Sequence, residues 1–579
     1  MMVTGMVTNM TTKTFFANFG YLVDAPNGVK KLRELILMLA VQGKLVPQDR
    51  DDEPAGKLLE RIRAERGRLV KEKKIKTMEP LPKVAVDEAP YEVPGGWEWV
   101  RLGEICNQIT DGTHHTPQYV PDGIPFLSVK DVSQGQIDLR NTRFISVDEH
   151  KTLIKRCNPE YEDMLFTKVG TTGIAKVIDI KTKFSIFVSL ALIKFTKEFI
   201  QPFFLEKLLN SPLVKAQSKK YTQGVGNKNL VLKFIFAFTI PLPPFPEQHR
   251  IVAKVDQLMA LCDELETRQQ KKKQKLLTLN NAALDRLLTA HTTDDFADAW
   301  GLIRDNFDFL YTTPETITKL RQAILQLAVQ GKLVTQDPND EPASVLLEKI
   351  KVEKEQLVKE KKIKKSEPLP SVNPDEAPFE LPGGWEWTSL GNAVLKLTDG
   401  THHSPPNSTS GDFMYVTAKN IKNYGIDLDD ITYITSDIHE GIYSRCNPEK
   451  GDILYIKDGA TTGIATINQL EESFSMLSSV ALMKLPHNIH NKFMLYVLRA
   501  PFFYDIMREG MSGVAITRVT LTKLNNAVIP LPPLPEQHRI VAKVDQLMKL
   551  CNELEAKLIQ SQTKSEKLVE AMVQAMSVC

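Results

Sequence analysis

The sequence is poor in features that would commit it to a chemistry. Its 579 residues include only six cysteines, too few for a disulfide scaffold at this length. No two of them stand at a Cys-x-x-Cys spacing, so a zinc site has no support. Cys262 and Cys551 fall in apolar helical stripes and read as small buried hydrophobes. The best apolar run near the start, Leu35 to Val41, is far shorter than the roughly 20 residues that span a bilayer. The opening MMVTGMVTNMTTKTF has no basic stretch ahead of an apolar core, so a secretory signal is not expected. These absences point to a cytoplasmic chain without membrane contact. Charge of one sign is lacking too: 73 Lys+Arg against 71 Asp+Glu leave a net +2. Any anionic partner must then be met by local patches.

Catalytic signatures fail one by one. An adenine methyltransferase needs Asp, Asn or Ser, then Pro-Pro and an aromatic ring, to hold a flipped base. Ser404-Pro405-Pro406 ends in Asn407, and Leu242-Pro243-Pro244-Phe245 begins with Leu. Gly224-Val225-Gly226 is a lone Gly-x-Gly without a strand before it and a helix after it in frame. Gly43-Lys44 and Gly331-Lys332 lack the upstream glycine and the Ser/Thr of a phosphate-binding loop. His114-His115 and His402-His403 are adjacent, so in a strand they face opposite ways, and no His-x-x-x-His or carboxylate partner is nearby. The expectation is a chain that binds no metal and no cofactor and catalyses nothing alone.

What is present is a duplication. PEQHRIVAKVDQLM at 246–259 recurs unchanged at 535–548, and AVQGKLV at 40–46 returns at 328–334. DEAPYEVPGGWEW at 87–99 becomes DEAPFELPGGWEW at 375–387, and TDGTHHTP at 110–117 becomes TDGTHHSP at 398–405. The offset stays at 288 to 289 residues. A solenoid would repeat every 20–50 residues or so; this period builds two similar bodies in one chain. Hydrophobic content of 42% and charged content of 25% suit ordinary globular domains, several at this length.

Each repeat opens with a helical hairpin pattern. The first helix is expected to stop at Gly43, with Pro47 beyond it, and the second to start at Asp52-Glu53-Pro54, the aspartate capping. Leu58, Ile62 and Leu69 form its stripe, matched by Leu346, Ile350 and Leu357. The basic runs KEKKIK at 71–76 and KEKKIKK at 359–365 read as solvated helix surface. Prolines 80, 82, 90 and 94, echoed at 368, 370, 378 and 382, mark extended linkers. β-like runs follow up to about 245 and 534, with FSIFVSLALIKF at 184–195 and FSMLSSVALMKL at 474–485 the strongest strands. The middles diverge: SKKYTQGVGNKNL at 218–230 has only GMSGVAITRVT at 510–520 as its counterpart. Residues 96–245 hold 19 Lys+Arg and 14 Asp+Glu (+5), and residues 384–534 hold 12 and 15 (−3).

PLPP closes each body, and a long helix follows. Ile251, Val255, Leu258, Cys262 and Leu265 step by four and three, as do Ile540, Val544, Leu547, Cys551 and Leu554. This 3.5-residue period is a coiled-coil seam, and two such stripes in one chain pair most simply with each other. The centre reads long helix, short linker, hairpin; the amino end has only the hairpin and the carboxyl end only the long helix. Bringing the ends together rebuilds a second copy of the centre, with approximate two-fold symmetry. The segments are 1–94, hairpin and linker; 95–245, globular; 246–383, long helix, linker and hairpin; 384–534, globular; 535–579, long helix.

The order AVQGKLV, Pro-x-Gly-Trp-Glu-Trp, TDGTHH, PLPPxPEQHRIVAKVDQLM, then the series again, resembles the specificity subunit of Type I restriction–modification systems over essentially the whole chain. The resemblance implies an α+β fold in which two globular α/β target-recognition domains, in inverted orientation, are separated by long antiparallel coiled-coil helices. It implies partners: double-stranded DNA, two modification subunits and two restriction subunits. S-adenosylmethionine, ATP and magnesium belong to those subunits. Each domain would read half of a split, asymmetric site.

Recognition loops vary in this family, so no base contact transfers by motif. The candidates are Asp111, Thr113, His114 and His115 of one TDGTHH loop and Thr401, His402 and His403 of the other. Lys219, Lys220, Lys228, Asn229, Lys419 and Arg518 join them, because such side chains bridge phosphates or base edges. For the loops a purely structural role, as turns closing a strand edge, competes. GTTGIA at 170–175 reads first as a tight turn, with phosphate contact the lesser reading. The rival for the whole chain is a duplicated coiled-coil scaffold with no nucleic-acid role.

Overall fold

A computed structural model describes residues 19–578 apart from 225–227, 366–368, 370–371, 373–376 and 510–517. The opening segment, Val225-Gly226, prolines 368 and 370 and most of the 510–520 segment therefore lie outside the described residues. The chain divides into two compact units, Met1–Lys272 with Ser561–Cys579, and Lys273–Gln560.

In the first unit the helix Gly28–Val41 buries Leu32, Leu35 and Ile36. It stops as expected: Gly43 has φ +69, and a Cβ there would lie 2.4 Å from Pro94 Cγ, so both conformation and space call for glycine. The next helix, Ala55–Lys71, follows Pro54, but Asp52 does not cap it. Its carboxylate instead receives Arg250 at 2.6 Å. The basic run is not helix surface either, because the helix ends at Lys71 and Lys73 turns left-handed at φ 56.

Strand Glu98–Arg101 pairs antiparallel with Thr239–Leu242 and joins the two ends of the globular segment. Between them lie two sheets. One runs Cys106–Asp111, Leu190–Phe195, Met164–Thr167, Ala175–Val177, all antiparallel. The other runs Tyr119–Val120, Arg143–Ile145, Ile124–Leu127, Ser185–Ile186, its last pair parallel. The expected strand over 184–195 is thus two strands. Ser185–Ile186 belongs to one sheet and Leu190–Phe195 to the other, with a switch at 187–189. An unbroken apolar run cannot reveal such a change of sheet.

The second unit repeats this. Glu386–Ser389 pairs with Val528–Leu531. A four-stranded sheet runs Lys396–Asp399, Val480–Lys484, Ile453–Ile456, Ala465–Ile467, beside a three-stranded one of Thr432–Ile434, Phe413–Val416, Phe474–Met476. Gly331 has φ +69 against Pro382 at the same 2.4 Å. Arg539 reaches Asp340 at 2.7 Å.

The repeated PEQHR is a clasp. Buried Trp97 donates its indole N–H to Glu247 Oε2 at 2.9 Å, and Gln48 donates to Oε1 at 2.6 Å. Trp385 and Gln336 do the same to Glu536, at 3.0 Å each. Burial pushes the Glu247 and Glu536 carboxyls up, and these hydrogen bonds pull them part of the way back. Gln248 and Gln537 accept from the backbone N–H of Gln201 and His490, both at 2.9 Å. The head of each long helix is thereby fixed to the globular segment it follows.

Those helices are Phe245–Leu288 and Leu534–Val578. Ile251, Val255 and Cys262 are buried and share a core with Leu32, Leu35 and Ile36, with Leu258 and Leu265 partly buried against it. Arg33 ties the hairpin helix to Asp263 and Glu266. Val569 and Met572, from the tail of the second long helix, enter the same core. In the second unit Ile540, Val544 and Cys551 are buried, Leu547 and Leu554 pack against them, and Arg321 reaches Glu555. There the tail of the first helix brings Leu284 and Leu287 into a cluster with Leu554 at its edge. Head lies with tail in both units, the antiparallel pairing expected. The expectation left out the hairpin helix, which covers the head of each stripe. The short linker is also more than a linker: Thr293–Asp305 is a helix burying Ala299 and Ile303. Among the described residues no helix is long and apolar enough to cross a membrane.

Candidate nucleic-acid interface

In each unit the switch between sheets, 187–189 or 477–479, is a hub for the diverged loops. Strand Cys106–Asp111 delivers the TDGTHH loop to it. Thr113 N–H donates to Ile186 O at 3.1 Å, and Val188 N–H to Thr113 O at 3.0 Å. Gly112 lets the backbones close up, since a Cβ there would stand 1.9 Å from Ile186 O; at Gly400 it would stand 1.8 Å from Met476 O.

Beneath the loop is a buried charge cluster. Asp111 is 4% exposed and Lys168 5%. Lys168 Nζ lies 3.2 Å from Asp111 Oδ2, Arg156 reaches Oδ1 at 2.5 Å, and His114 Nε2 is 3.3 Å from Oδ1. Burial works against ionisation of Asp111, yet Lys168, Arg156 and His114 hold its carboxyl below the usual range. The second unit rebuilds the cluster with Asp399, Lys457 at 3.4 Å, Arg445 at 3.5 Å and His402 at 3.4 Å. Asp111 is therefore turned inward, its oxygens occupied, and acts to hold the loop. Thr113 and Thr401 are half-buried and fold back, each hydroxyl donating to the backbone of His115 or His403. His114, His115, His402 and His403 are exposed, and against expectation two of them have a carboxylate beside them, His114 that of Asp111 and His402 that of Asp399, three residues before each. Among the described residues no group of three or more His, Cys, Asp or Glu is placed to hold a metal.

Around the hub the other candidates gather. Lys168 N–H donates to Ser189 O at 2.9 Å, and Leu230 N–H to Lys168 O at 2.7 Å, which sets segment 228–230 beside the GTTGIA turn. Gly170 N–H donates to Lys228 O at 2.8 Å. Lys228 is exposed, while the side-chain oxygen of Asn229 is buried without a hydrogen-bond partner among the described residues. The helix Pro212–Tyr221 ends in exposed Lys219 and Lys220, and the next residue, Thr222, meets Thr172 hydroxyl to hydroxyl at 3.1 Å. In the second unit Asp458 bridges Arg518, and their side chains pair at 3.3 Å. Exposed Lys419 sits on a short turn whose Ala418 N–H donates to Ser479 Oγ at 3.3 Å.

Sequence reasoning missed Lys168, Lys457, Arg156 and Arg445, which position the loops. It also missed Lys130, exposed on the turn matching that of Lys419. The shared offset of Lys168 and Lys457 was the available signal.

Both repeats match the family model described as the Type I restriction modification DNA specificity domain, at residues 94–275 and 384–562. The EcoAI specificity subunit of Escherichia coli is 34% identical over 566 residues, 95% of this chain and 94% of the relative. The EcoEI specificity subunit of the same organism is 34% identical over 578 residues, with the same shares. The crystal structure of the HsdS subunit from Thermoanaerobacter tengcongensis aligns over 84% of this chain and 98% of that one, at 18% identity and a TM-score of 0.37. With both repeats matched, and with likeness over nearly the full length, the chain belongs to the specificity subunits of Type I restriction–modification systems, the non-catalytic components whose role is DNA recognition.

Proposed function

We propose that the domains at 95–245 and 384–534 each read one half of a split, asymmetric site in double-stranded DNA. The loops around 187–189 and 477–479 would do the reading, and the long helices would set the distance between half-sites. The observation that carries this is the contrast within each domain. A duplicated frame of Gly112, Asp111 and Lys168, or Gly400, Asp399 and Lys457, holds out loops whose side chains differ between the copies. Exposed Lys and Arg on those loops suit phosphates and base edges, and exposed Thr171 and Thr461 suit phosphates. The hairpins and long helices would dock two modification subunits, and two restriction subunits would join them. S-adenosylmethionine, ATP and magnesium would be bound by those subunits, and the assembly would work in the cytoplasm.

The test is a graft. Replacing residues 96–245 by the matching segment of a relative, then mapping methylated adenines in the host genome, should change one half of the site and leave the other. A graft that altered both halves, or neither, would end this reading. The helix role has its own check. An α-helix rises about 1.5 Å per residue, so four residues inserted after Gln269 should add one or two base pairs, at about 3.4 Å each, to the spacer. An active four-residue variant with an unchanged spacer would mean the helices are not the ruler.

A further inference from the structure

We infer that the two domains divide the work of holding DNA: the first supplies nearly all of the salt-sensitive phosphate attraction, and the second discriminates at near-neutral local charge. This rests on the DNA-reading role proposed above. The totals, 19 Lys+Arg against 14 Asp+Glu in one domain and 12 against 15 in the other, only hint at it. What decides is how many exposed cations each domain leaves outside ion pairs, since both domains also pair many of theirs.

In the first domain Lys130, Arg143, Lys215, Lys219, Lys220 and Lys228 are exposed, and none enters an ion pair among the described residues. Lys130 donates only to a backbone carbonyl, that of Asn141, at 3.2 Å, and Arg143 lies over the Tyr119 ring at 4.5 Å. Four of the six, Lys130, Lys219, Lys220 and Lys228, border the hub or its loops. The second domain has used its cations internally. Arg518 is held by Asp458 at 3.3 Å, and Lys457 by both Asp399 and Asp458. Lys422 faces Asp427, and Lys450 faces Glu471. Lys419 and Arg508 remain exposed and outside ion pairs among the described residues, the latter over the Tyr504 ring at 4.6 Å. The undescribed segments of the two domains, 225–227 and 510–517, carry no charged residue, so they cannot shift this balance.

The physical difference is direct. An unpaired exposed cation can neutralise a phosphate and release its counterion, giving a logarithmic salt slope of about 0.9 per phosphate. A cation already facing a carboxylate must first lose that partner. The second domain offers groups of another kind: Ser404, Asn407, Ser408, Thr409 and Ser410 are all exposed on the loop after TDGTHH, Asn407 and Ser408 also donating to the carbonyls of Pro405 and Ser410. Such hydroxyls and amides discriminate by hydrogen bonds and add little to the slope.

The experiment uses the chain assembled with its modification subunits and a random-sequence DNA duplex, titrated over salt. The triple variant Lys219→Gln, Lys220→Gln, Lys228→Gln should lower the slope by about 2 to 3. Between 50 and 200 mM salt the parent would then lose about fortyfold more affinity than the variant. The pair Lys419→Gln, Arg518→Gln should lower the slope by less than about 1. Asp458→Asn, which frees Arg518, should raise it by up to about 1. Equal losses from the two sets, or no rise with Asp458→Asn, would overturn the division while leaving the reading role intact. No change from any variant, together with unaltered methylation sites after the graft, would instead sink the reading role itself.

Discussion

After the buried lysine, the first domain continues Val169-Gly170-Thr171 and the second Asp458-Gly459-Ala460. The backbone partners correspond: Val169 bridges Asn229, and Asp458 bridges Arg518. Leu230 N–H donates to Lys168 O at 2.7 Å, and Val519 N–H to Lys457 O at 2.8 Å. The side chains share nothing, since one pair is apolar with amide and the other is a salt bridge. Main-chain hydrogen bonds therefore carry the shape of these loops, and side chains are left to vary without cost to the fold. A frame independent of its decoration is what two recognition surfaces on one chain require.

That contrast breaks most sharply at the lysines. Lys168→Met and Lys457→Met should each destabilise their own domain by about 3–5 kcal/mol, because each leaves a buried carboxylate short of its cation. Calorimetry on each variant checks it. A small loss in one domain and a large one in the other would show that the frames are not equivalent. Next in size, Gly112→Ala and Gly400→Ala should cost about 1–3 kcal/mol or more, since the new Cβ meets a strand carbonyl held in place by its sheet, four-stranded at Ile186 and three-stranded at Met476. Equal shifts in melting temperature would support a common frame, and a tolerated alanine at either site would refute the close approach.

The smallest effect sharpens the comparison in acid. The Asp111 carboxyl is held below its usual range, so its contribution to stability is complete above the unfolded value of about 3.9 and is lost as pH falls through the folded one. Denaturant midpoints measured from pH 5 downwards should fall more steeply for the parent than for Asp111→Asn below about pH 4. Parallel curves would mean that Asp111 is not held in this way.

The sequence made the duplication, the hairpins, the linkers and the long helices legible, because each has a local mark: a repeated word, a glycine stop, a proline cluster, a 3.5-residue step. It left the clasp dark. Trp97 and Glu247 are 150 residues apart, and nothing in PEQHR says that its glutamate will sit under an indole. Asp111 and Lys168, 57 residues apart, were hidden the same way, so the aspartate of a conspicuous loop read as a contact when it is an anchor. Asp52 shows the reverse error: a residue with good capping chemistry was taken by a distant arginine. The strand split at 187–189 escaped because hydrophobicity tells that a residue is inside, not which sheet it joins.

The first unit draws on residues near both ends of the chain, whereas the second is the contiguous stretch Lys273–Gln560. A ribosome releases residues in order, so the second unit has all its parts before the first does. Val569 and Met572 emerge after the whole of the second unit, and the core around Leu35 and Ile251 waits for them. Closing a loop of that length is slow compared with local contacts. The half of the protein that is made earliest is thus the half that finishes folding last, and until then its unfilled apolar seam is the place where a nascent chain is exposed to wrong partners.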